Sequence, residues 1–172
     1  MALSVSCLDK SLHDRKAFDC GDAALNDFLR TKAARHQDQR VSRTFVLADE
    51  SAPERVLGFY TLSNGQIARQ ELRPGEARTL PRHPIPAVML ARLAVDRDHQ
   101  GRNFGLWLLM DAVKRCALVG RQSGVYALVV DAKHAKAQAF YTRHGFIPIE
   151  GKPLSLYLPM ETAIKALIAA QP

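Results

Sequence analysis

No apolar run in this 172-residue chain approaches the roughly 20 residues that a helix needs to cross a bilayer, so no membrane partner is expected. The opening MALSVSCLDK lacks both a basic n-region and a long apolar h-region. No secretory signal is therefore expected, and the cytoplasm is the expected compartment. Cysteine is scarce. Cys7, Cys20 and Cys116 are odd in number and share no metal-ligand spacing, which argues for reduced, partly buried thiols rather than a disulfide framework or a metal site. Internal repeats, low-complexity tracts and linkers are missing as well. One domain over residues 1–172 is expected, a length that suits a single core. Acid is the last shortage: 17 Asp and Glu against 24 Lys and Arg leave a net charge of +7. Unless that excess serves solubility alone, it favours polyanionic partners such as nucleic acid, an acidic protein or a phosphate-rich cofactor.

What is present reads as strands and helices in alternation. Leu3 to Leu8 alternates apolar and small residues, as a first strand does. Asp19 or Asp22 can cap the following helix, where Leu25, Phe28, Leu29 and Ala33 recur at three- and four-residue steps. Its other faces and exit carry Arg30, Lys32, Arg35, Arg40 and Arg43, with only Asp27 and Asp38 as nearby acids. A solvated face and a polyanion contact are both open there. Thr44 to Ala48 and Val56 to Ser63 read as an antiparallel hairpin. Asn64 to Pro86, broken by glycine and proline, reads as a loop with one helical turn near Ile67 to Glu71. Ala87 to Val95 reads as a strand buried on both faces. Arg92 interrupts it and must find a carboxylate or point into a cleft.

Leu93 to Asp96 then feeds a polar turn with two glycines, and an apolar helix opens at Phe104 and runs to about Gly120. Leu106, Leu109, Val113 and the pair Cys116 and Ala117 form its expected apolar stripe. First-turn N–H groups have no intrahelical partner and the helix dipole is positive there, so such a junction can hold phosphate. Val125 to Val130 is a further strand. Asp131 can cap a helix from Lys133 to His144, which Gly145 ends. Phe146 to Ile149 and Ser155 to Leu158 follow as strands, and Met160 to Ala170 as a short closing helix. The order β-α-β-β-loop-β-α-β-α-β-β predicts an α/β (α+β) fold, a mixed sheet flanked by helices. His99, His134 and His144 show no metal spacing and read as surface or capping residues.

Two motifs make this pattern specific. Gln100-Gly101-Arg102-Asn103-Phe104-Gly105 resembles the pyrophosphate loop Q/R-x-x-G-x-G/A of the GCN5-related N-acetyltransferases (GNAT family), with Asn103 in place of the middle glycine. Ala139-Phe140-Tyr141-Thr142-Arg143-His144-Gly145-Phe146 resembles the helix end A-F-Y-x-x-x-G-F of the same family. The segments F-D-C-G-D-x-x-L-N-x-F-L, S-R-T-F-V and P-I-P-A-V-M-L-A-R-L-A-V-D resemble the GNAT toxins of bacterial toxin–antitoxin modules. That resemblance implies a GNAT fold, mostly antiparallel, with a splayed parallel pair at the cofactor site. It implies an acetyl-CoA-dependent N-acetyltransferase that modifies the amino group of aminoacyl-tRNA and stops translation. A homodimer and a ribbon–helix–helix antitoxin are implied with it.

Residue by residue, the resemblance places pantetheine along Leu93, Ala94 and Val95, and pyrophosphate on Gln100, Gly101, Arg102, Asn103, Phe104 and Gly105. Asp131, Phe140 and Tyr141 are the remaining cofactor residues. The Val95 N–H is the expected oxyanion donor and Tyr141 the expected general acid, with Phe140 taking the packing role so that Tyr141 stays free. Asn103 is expected to adopt the left-handed turn and keep the pyrophosphate seat intact. The expected tRNA surface is Arg30, Lys32, Arg35, Arg40, Arg43, Arg73, Arg78, Arg82 and Arg92. Two rivals are a GNAT enzyme acting on a small amine or a protein amino terminus, and an inactive GNAT-like module that only binds tRNA or protein.

Overall fold

The computed structural model describes residues 1–170. Among them, seven strands form one sheet in the order β1-β2-β3-β4-β5-β7-β6. They are β1 (Leu3–Cys7), β2 (Arg43–Asp49), β3 (Gly58–Ile67), β4 (Ile85–Val95), β5 (Ala127–Asp131), β6 (Ile147–Ile149) and β7 (Lys152–Pro159). The pairs β1–β2, β2–β3, β5–β7 and β6–β7 are antiparallel. The pair β4–β5 is parallel, in register from Ala87↔Ala127 to Leu90↔Val130, and β4 then runs on to Val95. This is the mixed, mostly antiparallel architecture expected. No helix among the described residues is long and apolar enough to cross a membrane.

The chain divides into two compact units. The first comprises Met1–Ser63 and Ala91–Ala112. Its core joins Leu8, Phe18, Phe28, Leu29, Val46, Val56, Phe59 and Ala94. Helix α1 (Ala23–Asp27) is capped by Asp22, not Asp19: the Asp22 carboxylate accepts from the Ala24 N–H at 2.9 Å and the Leu25 N–H at 3.3 Å. A π-helical turn, Phe28–Lys32, joins it to α2 (Ala33–Asp38). Helix α4 (Phe104–Val119) begins here. Its buried face is Phe104, Leu108, Leu109, Ala112, Val113 and Cys116, and Leu106 is only half-buried. Leu108 takes the inner place because Gly58 makes room for it. A Cβ at Gly58 would stand 2.8 Å from Leu108 Cδ1 and 2.9 Å from the Ala94 carbonyl oxygen.

The second unit comprises residues 64–90 and those from 113 onward. Its core joins Ile67, Leu72, Ile85, Ala87, Ala127, Val129, Ile149 and Tyr157. Strand β3 extends to Ile67, where glycine had suggested a loop. Gly65 serves close packing instead, since a Cβ there would meet Met89 Cγ at 2.7 Å. A 3-10 turn (Arg69–Glu71) and a short α3 (Pro74–Ala77) follow. Strand β4 is buried on both faces over Ala87–Leu90, with Met89 half-buried, as expected; beyond that Ala91 is exposed and Arg92, Leu93 and Val95 are only half-buried. Helix α5 (Ala135–Arg143) is capped by His134, whose Nδ1 accepts from the Ala137 N–H at 3.1 Å. Asp131, the expected cap, ends β5 and accepts instead from the Ser155 hydroxyl at 2.7 Å. Gly145, at φ +92°, ends α5, and α6 (Met160–Ala169) closes the described chain.

Candidate functional site

In the first unit the end of β4 leads through a 3-10 turn (Arg97–His99) into α4. Asp96 organises this passage from a buried position. Its Oδ2 accepts from the Asp19 N–H at 3.2 Å, and its Oδ1 accepts from the Asp98 N–H at 3.0 Å and lies 3.4 Å from His99 Nδ1. His99 is therefore a buried strut, not a surface residue, and its ring stacks on Phe104 at 6.1 Å between centroids. Gln100 turns its amide back, donating to the Val95 carbonyl at 3.1 Å and the Cys20 carbonyl at 3.2 Å. Gly101 and Asn103 adopt φ of +81° and +62°. A Cβ at Gly101 would meet nothing within 4 Å, so backbone conformation alone calls for glycine there.

The first helical bond runs from the Trp107 N–H to the Asn103 carbonyl, 3.1 Å. The N–H groups of Phe104, Gly105 and Leu106 thus precede any intrahelical acceptor. A left-handed residue opening a helix with free donors makes a concave anion seat. Its donor set fits a diphosphate such as that of coenzyme A.

The basic residues of this unit are held in different ways. Among the described residues Arg92 has no carboxylate partner; its guanidinium lies over the Phe28 ring, 3.6 Å from the centroid. Ring quadrupole takes the place of the expected anion, and burial lowers the guanidinium pKa from its ordinary value. Arg30 donates to the Phe18 carbonyl at 2.7 Å, and Lys32 pairs with Asp27 at 3.4 Å. Arg43 Nε lies 3.3 Å from Cys7 Sγ. Arg35 and Arg40 are exposed at the α2 end, where Arg40 itself has φ +62°.

In the second unit Tyr141 is buried, at 6% exposure, with edge-on rings from Phe140 at 5.2 Å and Phe146 at 5.3 Å. Phe140 is the less buried of the two, the reverse of the expected division of labour. Burial pushes the Tyr141 hydroxyl well above its ordinary pKa, and no hydrogen-bond partner for it occurs among the described residues. Arg78 and Arg82 are exposed, but Arg73 is paired with Glu76 at 2.5 Å. Glu76 also accepts from the hydroxyls of Tyr157 (2.8 Å) and Tyr126. Reading Asn64 to Pro86 as a loop hid this carboxylate. The available signal was one acid, Glu76, set between Arg73 and Arg78. No cluster of three metal-ligating side chains occurs among the described residues. The thiol of buried Cys116 is pushed up to about 12.

A mixed sheet, a phosphate-ready loop and a following long helix define an acetyltransferase framework, and residues 40–148 match the acetyltransferase (GNAT) domain family. The chain belongs to the GNAT acetyltransferases. It is 40% identical over 155 residues, 90% of each chain, to the tRNA-acetylating toxin of Mycobacterium tuberculosis (strain ATCC 25618 / H37Rv). Its structure is similar to that of AtaT complexed with acetyl-methionyl-tRNAfMet, with TM-score 0.90 and 32% identity over 96% of this chain and 99% of the other. It is also similar to a variant AtaT toxin bound to the C-terminus of the antitoxin AtaR and acetyl-CoA, with TM-score 0.82 and 30% identity over 99% and 100% of the two chains.

Proposed function

We propose that this chain, as one GNAT domain over residues 1–172, acetylates the amino group of aminoacyl-tRNA and acts as the toxin of a toxin–antitoxin module. The observation that carries the reading is Asn103 at φ +62°, since the one departure from the family's loop pattern keeps the conformation that presents the Arg102–Gly105 donors. The near full-length likeness to a tRNA-acetylating toxin supports the choice of substrate. Neutralisation by an antitoxin is in keeping with the complex of an AtaT variant with the C-terminus of AtaR; a homodimer and a ribbon–helix–helix type of antitoxin complete the proposal.

Bound acetyl-CoA would supply an acetyl thioester open to attack by an amine. A free α-amino group has a pKa of about 8, so a strong base is hardly needed. The chain has to hold the amine, stabilise negative charge on the carbonyl oxygen, and manage one proton. The Val95 N–H, with Leu93 and Ala94 before it, is the proposed oxyanion donor. Tyr141 Oη stays protonated at neutral pH because burial disfavours its anion. It is poorly suited to lose that proton outright to a thiolate of pKa about 8.5. Relay fits better: Oη gives its proton to sulfur as it takes the one that nitrogen loses. Asp131 and Phe140 would line the cofactor, and Arg30, Lys32, Arg35, Arg40, Arg43, Arg78 and Arg92 would meet tRNA phosphates.

Incubation with labelled acetyl-CoA and total charged tRNA tests the proposal. Label on the aminoacyl group is expected. Label confined to small amines or protein would overturn it.

A further inference from the structure

The N-terminal motif Phe18-Asp19-Cys20-Gly21-Asp22 contributes more than the α1 cap. Asp19 and Cys20 carry four backbone hydrogen-bonding groups, and three of them reach the root of the loop that precedes α4. The Asp19 N–H donates to Asp96 Oδ2 at 3.2 Å, and the Asp19 carbonyl accepts from the Arg97 N–H at 2.9 Å. The Cys20 carbonyl accepts from Gln100 Nε2 at 3.2 Å. An ion pair between Arg97 and the Asp19 carboxylate, 3.2 Å, lies alongside. The fourth group, the Cys20 N–H, donates to Oδ1 of Asn26 at 2.9 Å, and Asn26 Nδ2 donates to Asp19 Oδ1 at 2.9 Å. Asn26 is buried and so spans the turn with both ends of its amide.

The far side of the loop root is equally constrained. Gln100 Nε2 also reaches the Val95 carbonyl, and the N–H of the same peptide, that of Asp96, donates to the Leu57 carbonyl at 2.9 Å. The peptide joining Val95 to Asp96 is held at both ends.

We propose that the Asp19–Cys20 turn is a clasp that fixes the acetyl-CoA loop, and that Asn26 is the positioning residue that keeps the clasp shut. The cofactor half of this proposal rests on the acetyl-CoA reading given above. A loop with Asn103 in the left-handed region persists only where its flanks over-determine it. Three links to the Asp19–Cys20 backbone, one of them made by the Gln100 amide, supply that constraint. Donors aligned in advance also lose less freedom when an anion arrives, which is how distant positioning becomes affinity. Gln100 serves the cofactor through this clasp, because its amide hydrogens are spent on Val95 and Cys20 rather than on phosphate.

Asn26→Ala removes both amide links without touching the loop. Backbone hydrogen exchange over residues 101–106 of the free protein is expected to accelerate, and calorimetry should show acetyl-CoA affinity about tenfold weaker, with KM for charged tRNA unchanged. A folded Asn26→Ala protein with wild-type exchange and wild-type affinity would overturn the clasp, as would an equal loss for both substrates. If Asn26→Ala does not fold, Gln100→Leu, which cuts the clasp from the loop side, is read by the same exchange measurement with the same two outcomes. Failure of the wild-type protein to bind acetyl-CoA would sink the proposed function instead, and exchange in the free protein would still decide the clasp.

Discussion

Arg92 lies flat over Phe28, its guanidinium carbon 3.6 Å from the ring centroid. A strand charge is thereby kept half-buried in its unit without a carboxylate, and Phe28 holds it while belonging to the core with Phe18, Leu29 and Phe59. Such a pair is worth about 0.5–2 kcal/mol, rising with desolvation. Arg92→Met keeps the stem and drops the charge, and urea unfolding should show a loss in that range. The loss should shrink in a Phe28→Leu background, giving a nonzero coupling in the double-mutant cycle. Additive effects would mean that the contact contributes nothing.

Tyr141→Phe isolates one oxygen. Because the hydroxyl has no partner among the described residues and the ring packs between Phe140 and Phe146, the variant should unfold at or near the wild-type temperature. If Oη relays the proton, kcat on charged tRNA should fall by about a hundredfold or more while acetyl-CoA affinity changes little. Single-turnover kinetics and calorimetry separate the two. Unchanged kcat would remove Tyr141 from the chemistry.

Most elements were legible from local signals: alternation for β1, three- and four-residue apolar steps for the α1 region, a β-branched run for β5 and a glycine stop for α5. The errors arose where a residue has two physical uses. Gly65 has the composition of a turn, but it is there to admit Met89. Arg92 was expected to find a carboxylate or a cleft, but an aromatic face distant in sequence holds its guanidinium. His134 took the cap that local sequence offered to Asp131, because Asp131 is drawn to Ser155 across the β5–β7 pair. Asp96 and Glu76 could not be ranked from sequence, since their partners lie about 50 to 80 positions away. Only folding brings those together.

Glu76 binds three donors, from Arg73, Tyr126 and Tyr157, and so ties α3 to the core of its own unit. Burial alone would raise its pKa, but these hydrogen bonds outweigh it and the net shift is downward. Glu76→Gln keeps one acceptor oxygen for Arg73 and Tyr157 but turns the other, which accepts from the Tyr126 hydroxyl, into an amide donor, at a cost of about 1–3 kcal/mol. Faster hydrogen exchange over residues 69–80 is the expected result, with acetyl-CoA affinity unchanged. Native exchange across that segment would show that the tether is dispensable.

His13 gives the stability a pH dependence with a defined sign. It is buried, its Nδ1 accepts the Asp9 N–H at 3.0 Å, and burial, only partly offset by Asp9, lowers its pKa from 6.5. Burial also lowers that of His144, with help from Arg143. Below 6.5 the unfolded chain takes up these protons before the folded one, so stability present above 6.5 is lost as pH falls toward the folded values. The melting temperature should therefore drop between about pH 7 and about pH 5.5, before the carboxylates titrate. His13→Gln should flatten that drop, and an identical profile would assign it elsewhere.

Asn103 separates backbone conformation from side-chain contact at the phosphate seat. At φ +62° an L-residue pays a steric cost that asparagine bears better than most and glycine does not bear at all. Asn103→Gly removes the Cβ and should hold or raise acetyl-CoA affinity with little change in melting temperature. Asn103→Val puts a β-branched side chain in the same conformation, at a cost of about 1–2 kcal/mol or more, or else forces the loop out of it. Its affinity for acetyl-CoA should fall accordingly, and calorimetry on the two variants reads the contrast directly. Equal affinities for glycine and valine would show that the left-handed turn is not what binds, and would move the phosphate seat away from α4.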